Sequence, residues 1–163
     1  MTFIAVFTAI MAVASQISIP MPSAVPVTIQ SLVVAFAGYY LGTRRALLSI
    51  VLYIFLGAVG APVFASLKGG FYVLLGPTGG FIWGFVFVAF LCSLFVNAKL
   101  AIPCGIFSIL LCHVIGIVQY AIVMKTNPLV PILTISLPYL IKDIIFVIIA
   151  YFLSIKMKKR IKP

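Results

Sequence analysis

Acid is almost absent from this sequence: Asp143 is the only acidic residue in the chain. Charge of either sign is scarce too. Only 7% of the residues are charged and 65% are hydrophobic, whereas a soluble domain carries about 25% charged residues. No water-soluble fold of this size hides so much apolar surface. Apolar runs recur along the whole length, which speaks against a single anchor on a soluble head. Cysteine is sparse, and Cys92, Cys104 and Cys112 all fall inside apolar runs. A thiol there behaves as a small hydrophobe, so no disulfide is expected. The lone His113 beside Cys112 lacks the ligand count of a zinc site. It joins a Ser-His-Asp set only if it meets Asp143 from another helix. The sequence has no GxxxxGK[ST] nucleotide loop and no internal repeat, which disfavours an inverted-repeat transporter. Its opening run has neither a basic n-region nor a small-residue cleavage site, so it reads as a first membrane helix and not a signal peptide.

What is present is a series of apolar spans. Hydropathy, together with Pro, Gly and charge punctuation, predicts an all-α, polytopic membrane protein. Six transmembrane helices are expected near residues 2–19, 29–41, 46–63, 81–96, 102–124 and 138–155, forming one domain over 1–163. Several fall short of the roughly 20 residues that cross a bilayer upright. Such short spans are tolerated where the backbone is buried in protein or lines a cavity. Between them lie a proline-rich loop, "PMPSAVPVTIQ", and a glycine-rich connection, "ASLKGGFYVLLGPTGG".

The net charge of +10 is not a nucleic-acid footprint, because five of the eleven basic residues crowd the final "KMKKRIKP". A basic cluster beside a membrane helix reads as a cytoplasmic end facing lipid headgroups. With both termini in the cytoplasm, Arg44, Arg45, Lys99, Lys156, Lys158, Lys159, Arg160 and Lys162 lie inside, and Lys68, Lys125 and Lys142 outside. The positive-inside rule demands that bias.

This topology gathers the polar chemistry at the outer face. Tyr139, Lys142 and Asp143 occupy the first turns of the sixth helix. At helical spacing they span about 100° and can line one cavity. Ionisable residues inside membrane spans usually face protein or water. The plainer alternative is that Lys142 snorkels to headgroups and Asp143 neutralises it. Lys68 adds a cation to a connection whose glycines allow close backbone approach, or that segment is an ordinary loop. Gln30 offers an amide at the entry to the second span, or it is a solvated helix-entry residue. Tyr53 is a further candidate ring contact. Ala5 and Ala9 form a small-xxx-small face suited to close helix contact, although alanine is common in membrane helices.

At these residues the sequence becomes recognisable. "VPVTIQ", "GYYLGTRRALLSIVLYIFLGAVGAPVFA" and "GGFYVLLGPTGGF", in that order, closely resemble the BioY family. These are the biotin-binding S components of energy-coupling factor (ECF) transporters. The resemblance covers nearly the whole chain and is strongest from Pro20 to Phe81. It implies a six-helix protein of the cell membrane that captures biotin on the outer side. It also implies work with a membrane T component and a pair of cytoplasmic ATPases, with no cofactor and no catalysis. Where the family reads "PGDLLKA", this chain reads "LPYLIKD". Lys142 matches the lysine that meets the ligand carboxylate. The family aspartate that faces the ureido ring falls at Tyr139, so Asp143, one turn later, replaces it, or Tyr139 supplies the hydrogen bonds itself. Lys68 matches a basic position, and Ala5 and Ala9 match the face that docks on the T component. Two other readings stand beside this one: the same fold for another vitamin, and an intramembrane enzyme or structural subunit without a ligand.

Overall fold

A computed structural model describes residues 1–23, 25–95 and 99–160. Among them the chain is all-α apart from one small ribbon. The long helices are α1 (Thr2–Gln16), α2 (Gln30–Leu41), α3 (Thr43–Ala58), α5 (Gly79–Leu94), α6 (Ala101–Met124) and α8 (Leu137–Lys158). Two short helices, α4 (Phe71–Leu75) and α7 (Leu129–Pro131), lie in the connections. Strands β1 (Ser18–Ile19) and β2 (Val27–Thr28) pair antiparallel, with Ser18 opposite Thr28 and Ile19 opposite Val27.

The helices are apolar outside and partly polar inside. Val6, Ile10, Val13 and Ile17 are exposed along α1 and beyond its end, Val114, Val118 and Ile122 on α6, and Ile141, Ile145, Ile149 and Phe152 on α8. Steps of three and four put each set on one helix face. The interior instead holds Thr8, Ser49, Ser108, His113, Asp143 and Ser154. This inverts the amphipathic pattern of a soluble bundle and is the exterior of a protein bathed in lipid. By length and composition, the helical stretches Ala101–Met124 and Leu129–Lys158 are each sufficient to cross a membrane. In that medium each helix satisfies its own backbone, which makes helices the economical solution for these runs.

Helix α2 is the axis of the bundle. It packs against α1, α3, α5 and α8, and nearly every one of its residues from Gln30 to Leu41 is buried. Gly42 alone separates it from α3, at φ 77° and ψ 169°. That conformation is essentially restricted to glycine, so the helix can restart at Thr43 without a loop. Helices α5 and α6 pack closely through Gly80, Gly84 and Gly116. A Cβ at Gly80 would lie 2.6 Å from the Ile115 carbonyl oxygen, and one at Gly84 would lie 2.9 Å from the Cα of Cys112.

The helix limits differ from the sequence expectation for local reasons. The first helix stops at Gln16, not 19, because Ser18 and Ile19 enter the ribbon. The third covers Thr43–Ala58 and not 46–63, since Gly60 at φ 104° and Pro62 end it early. The glycine-rich connection folds in part, into a 3-10 turn at Ala65–Leu67 and α4. The fourth begins at Gly79, and Val96, the expected end of that span, lies outside the described residues, as does Lys162. The last helix continues from a π turn at Ile132–Ser136, closed by the Leu137 N–H donating to the Ile132 carbonyl. Pro138 has no N–H for the Thr134 carbonyl and would clash with it in a regular helix. The wider turn accommodates the proline.

The α5–α6 contact generates a stability prediction. Gly84→Val should lower the unfolding free energy by about 1–3 kcal/mol, the usual cost of overpacking. Thermal unfolding of the detergent-solubilised protein measures it; an unchanged midpoint would mean that the helices separate at no cost.

Candidate functional site

The loop after α1, the C-terminal half of α3 with the segment after it, the middle of α6 and the beginnings of α2, α5 and α8 enclose a cavity of about 240 Å³, away from the start of α1 and the far end of α8. Its apolar wall is Phe64, Phe81, Ile82, Phe85 and Ile109. Lys142, Asp143, Tyr139, Lys68, Gln30 and Tyr53, all expected to bind ligand, line this cavity. Ala5 and Ala9 do not; they are exposed on α1.

Asp143 is the centre of the polar wall. It is buried, and an ionised carboxylate there needs donors to offset its lost hydration. Three converge on it. Ser31, at the start of α2, donates to Oδ1. Lys142 Nζ lies 2.6 Å from the same oxygen. His113 Nε2, from α6, lies 3.1 Å from Oδ2. Behind the imidazole, Ser136 Oγ is 3.0 Å from Nδ1. A carboxylate only accepts, so the imidazole carries a proton on Nε2, and in the neutral ring Nδ1 is then the acceptor of the Ser136 hydroxyl.

The other polar groups are held by the surrounding loops. Lys142 Nζ also donates to the Thr28 carbonyl at 2.8 Å and stands 5.1 Å over the Phe146 ring. Its side chain is therefore fixed, with one N–H left for a ligand. The Tyr139 hydroxyl donates to the Val25 carbonyl at 2.7 Å, which ties the proline-rich loop to α8. Gln30 Nε2 donates to the Tyr53 hydroxyl at 2.6 Å, and that hydroxyl donates to the Val63 carbonyl at 3.1 Å. Lys68 is exposed at the mouth. Over it, Ser66 and Leu67 adopt φ of 61° and 56°, the left-handed region that non-glycine residues rarely enter. The Leu67 N–H donates to Gln16 Oε1 at 2.8 Å, and Ser15 Oγ donates to the Val63 carbonyl at 2.6 Å. Two lysines and one carboxylate leave the cavity with one net positive charge when His113 is neutral.

Ser31, in this wall, and Ser136, behind it, escaped the sequence. The sequence reads His113 only against a zinc site or a Ser-His-Asp set, and the structure meets the condition of the latter, since it reaches Asp143 from another helix. Among the described residues no group of three or more His, Cys, Asp or Glu side chains gathers to hold a metal. Ser136 completes a Ser-His-Asp row but does not line the cavity, so its hydroxyl is not presented to a ligand as a nucleophile.

The model of the BioY family matches residues 1–163 of the chain. The chain belongs to the BioY family. The biotin transporter BioY of Thermotoga maritima is 31% identical, over 94% of this chain and 92% of its own length. A probable biotin transporter BioY of Bacillus subtilis is 34% identical, over 96% and 89%. In architecture the BioY chain described here is similar to the crystal structure of the S-component for biotin from an ECF-type ABC transporter. The TM-score is 0.89, over 99% of this chain and 91% of that one, at 22% identity. The fold is thus that of an ECF S component.

The carboxylate cluster predicts its own energetics. Asp143→Ala leaves Lys142, His113 and Ser31 without their shared acceptor, and the ligand-free protein should lose about 1–3 kcal/mol of stability. Denaturation without ligand tests this, and equal stability would show the cluster to be indifferent to its acceptor.

Proposed function

We propose that this chain is the substrate-capturing membrane subunit of a biotin uptake system, not an enzyme. It takes biotin at the outer face and passes it inward with an ECF module. The observation that carries this reading is the cavity in which Asp143, Lys142 and Lys68 converge within an apolar wall. Biotin has an apolar bicycle, a ureido ring with two N–H donors and a carbonyl, and an anionic tail. The bicycle fits against the aromatic and aliphatic wall. Asp143 uses three of roughly four acceptor directions on its network and has one left for a ureido N–H. The tail carries charge and is best left near the mouth, between the free N–H of Lys142 and the mobile Lys68. One net positive charge then meets one negative charge. Gln30 and Tyr53 shape the remaining wall, and Tyr139 holds the loop at Val25.

In this reading six helices span the cytoplasmic membrane and both termini face the cytoplasm. The supporting observation is that Arg44, Arg45, Lys99 and the basic end of α8 sit at the opposite end of the bundle from the cavity. The exposure of Ala5 and Ala9 supports docking on the membrane T component of a module energised by an ATPase pair. Small residues there permit close backbone approach.

The deciding experiment is calorimetric titration of the purified protein with biotin, thiamine and riboflavin. Biotin alone should bind; binding of another vitamin in its place overturns the assignment. Lys68→Ala should weaken biotin by about 1–2 kcal/mol and biotin amide much less, because only the acid offers a charge to the mouth. Equal losses would remove Lys68 from the tail. Ala9→Trp should leave biotin binding intact and abolish uptake that depends on the T component, measured with radiolabelled biotin in cells. Undiminished uptake would remove α1 from the docking surface.

A further inference from the structure

Asp143 stands one helical turn beyond the position at which the BioY resemblance places a carboxylate, and it is bonded to the chain's single histidine. We propose that His113, oriented by Ser136, is the positioning residue that makes Asp143 a recognition group for a cyclic ureide. The inference rests on the reading that biotin is the ligand.

A carboxylate on a helix can rotate about its last bond. Here Oδ1 is engaged by Ser31 from α2 and by Lys142 from its own helix. Those contacts hold Oδ1 but give Oδ2 no partner. His113 engages Oδ2 at 3.1 Å from α6, so both oxygens are held and rotation about the last bond breaks a contact on each. The remaining lone pair of Oδ2 then has one direction, and both His113 and Asp143 face the cavity.

The neutral imidazole does this only in the tautomer with its proton on Nε2. The Ser136 hydroxyl lies 3.0 Å from Nδ1 and favours that tautomer when it donates there. Ser136 closes the π turn that precedes α8. The ring itself is steadied by Phe81, edge to face at 5.7 Å between centroids. The titratable and charged groups that share the cavity with His113 are Asp143, Lys142 and Tyr139 on α8, Tyr53 on α3 and Cys112 on α6 itself. Lys68 lies across the cavity, and α2 and α5 contribute neutral Ser31 and Phe81. Asp143 is thus the only anion it faces among the described residues. Ser136 lies outside the cavity and acts only through His113.

The test compares side chains that reach Asp143 with one that does not, in the full chain reconstituted in nanodiscs. Glutamine places an amide N–H near the position of Nε2, whereas asparagine is too short. His113→Asn should weaken biotin and biotin amide alike by about tenfold, since the ring end is shared by both ligands. His113→Gln should stay within about threefold of the parent. Ser136→Ala should weaken both ligands about threefold by releasing the tautomer. A role in stability alone would shift the melting temperature without this acid-independent loss of affinity in folded protein. The proposal is overturned if folded His113→Asn binds biotin like the parent. It is also overturned if the loss appears with biotin and not with its amide, which would put His113 at the tail. Should His113→Asn not fold, parental affinity in Ser136→Ala overturns it. A parent that binds no biotin defeats the functional reading first, and this inference falls with it.

Discussion

A buried carboxylate in a lipid-facing protein has few ways to be satisfied, and the way chosen for Asp143 organises the molecule. Its donors come from three helices: Ser31 on α2, Lys142 on α8 and His113 on α6. One ionised group therefore ties the central helix to the two longest ones at the end where the cavity opens. An apolar contact tolerates sliding, but this cluster does not, because each donor meets one oxygen at a fixed distance. The register of α2, α6 and α8 and the shape of the polar wall are set together.

The rest of the bundle is arranged so that this cluster can exist. Large aliphatic residues face outward at helical spacing, and small or hydroxylated ones face inward. Without a hydrophobic drive between helices in lipid, close packing must supply the contact. The glycines of α5 and α6 let those backbones approach at Cys112, next to His113. Tight packing on that side brings the imidazole within reach of α8. Membrane exterior, glycine contact and binding wall are one arrangement seen at three depths.

Much of this was legible in the sequence, and the limits have physical causes. Long apolar runs located the helices to within a few residues, since hydropathy reports on burial in lipid directly. The spacing of Tyr139, Lys142 and Asp143 placed them on one face because the helical period is fixed. The pairing of His113 with Asp143 stood in the sequence only as a condition, because thirty residues separate them and no local pattern encodes a contact between helices. Ser136 was hidden for a related reason: its contact with the ring is made between helices, from the π turn ahead of Pro138. The short α4 and the two-residue strands fall below the length over which periodicity can be read. Ser31 carried no reading at all, because a serine at a helix start does not announce a partner on another helix.

The tether between Gln16 and the segment at 62–67 has a mechanical consequence. Ser15 holds the Val63 carbonyl, and Gln16 holds the Leu67 N–H and, from its amide nitrogen at 3.1 Å, the Phe64 carbonyl. Ser66 and Leu67 already sit in backbone conformations with little freedom to yield. The far end of α1 and the cover of the cavity are thus one hydrogen-bonded unit, so neither can be displaced from the other without breaking the bonds of Ser15 and Gln16.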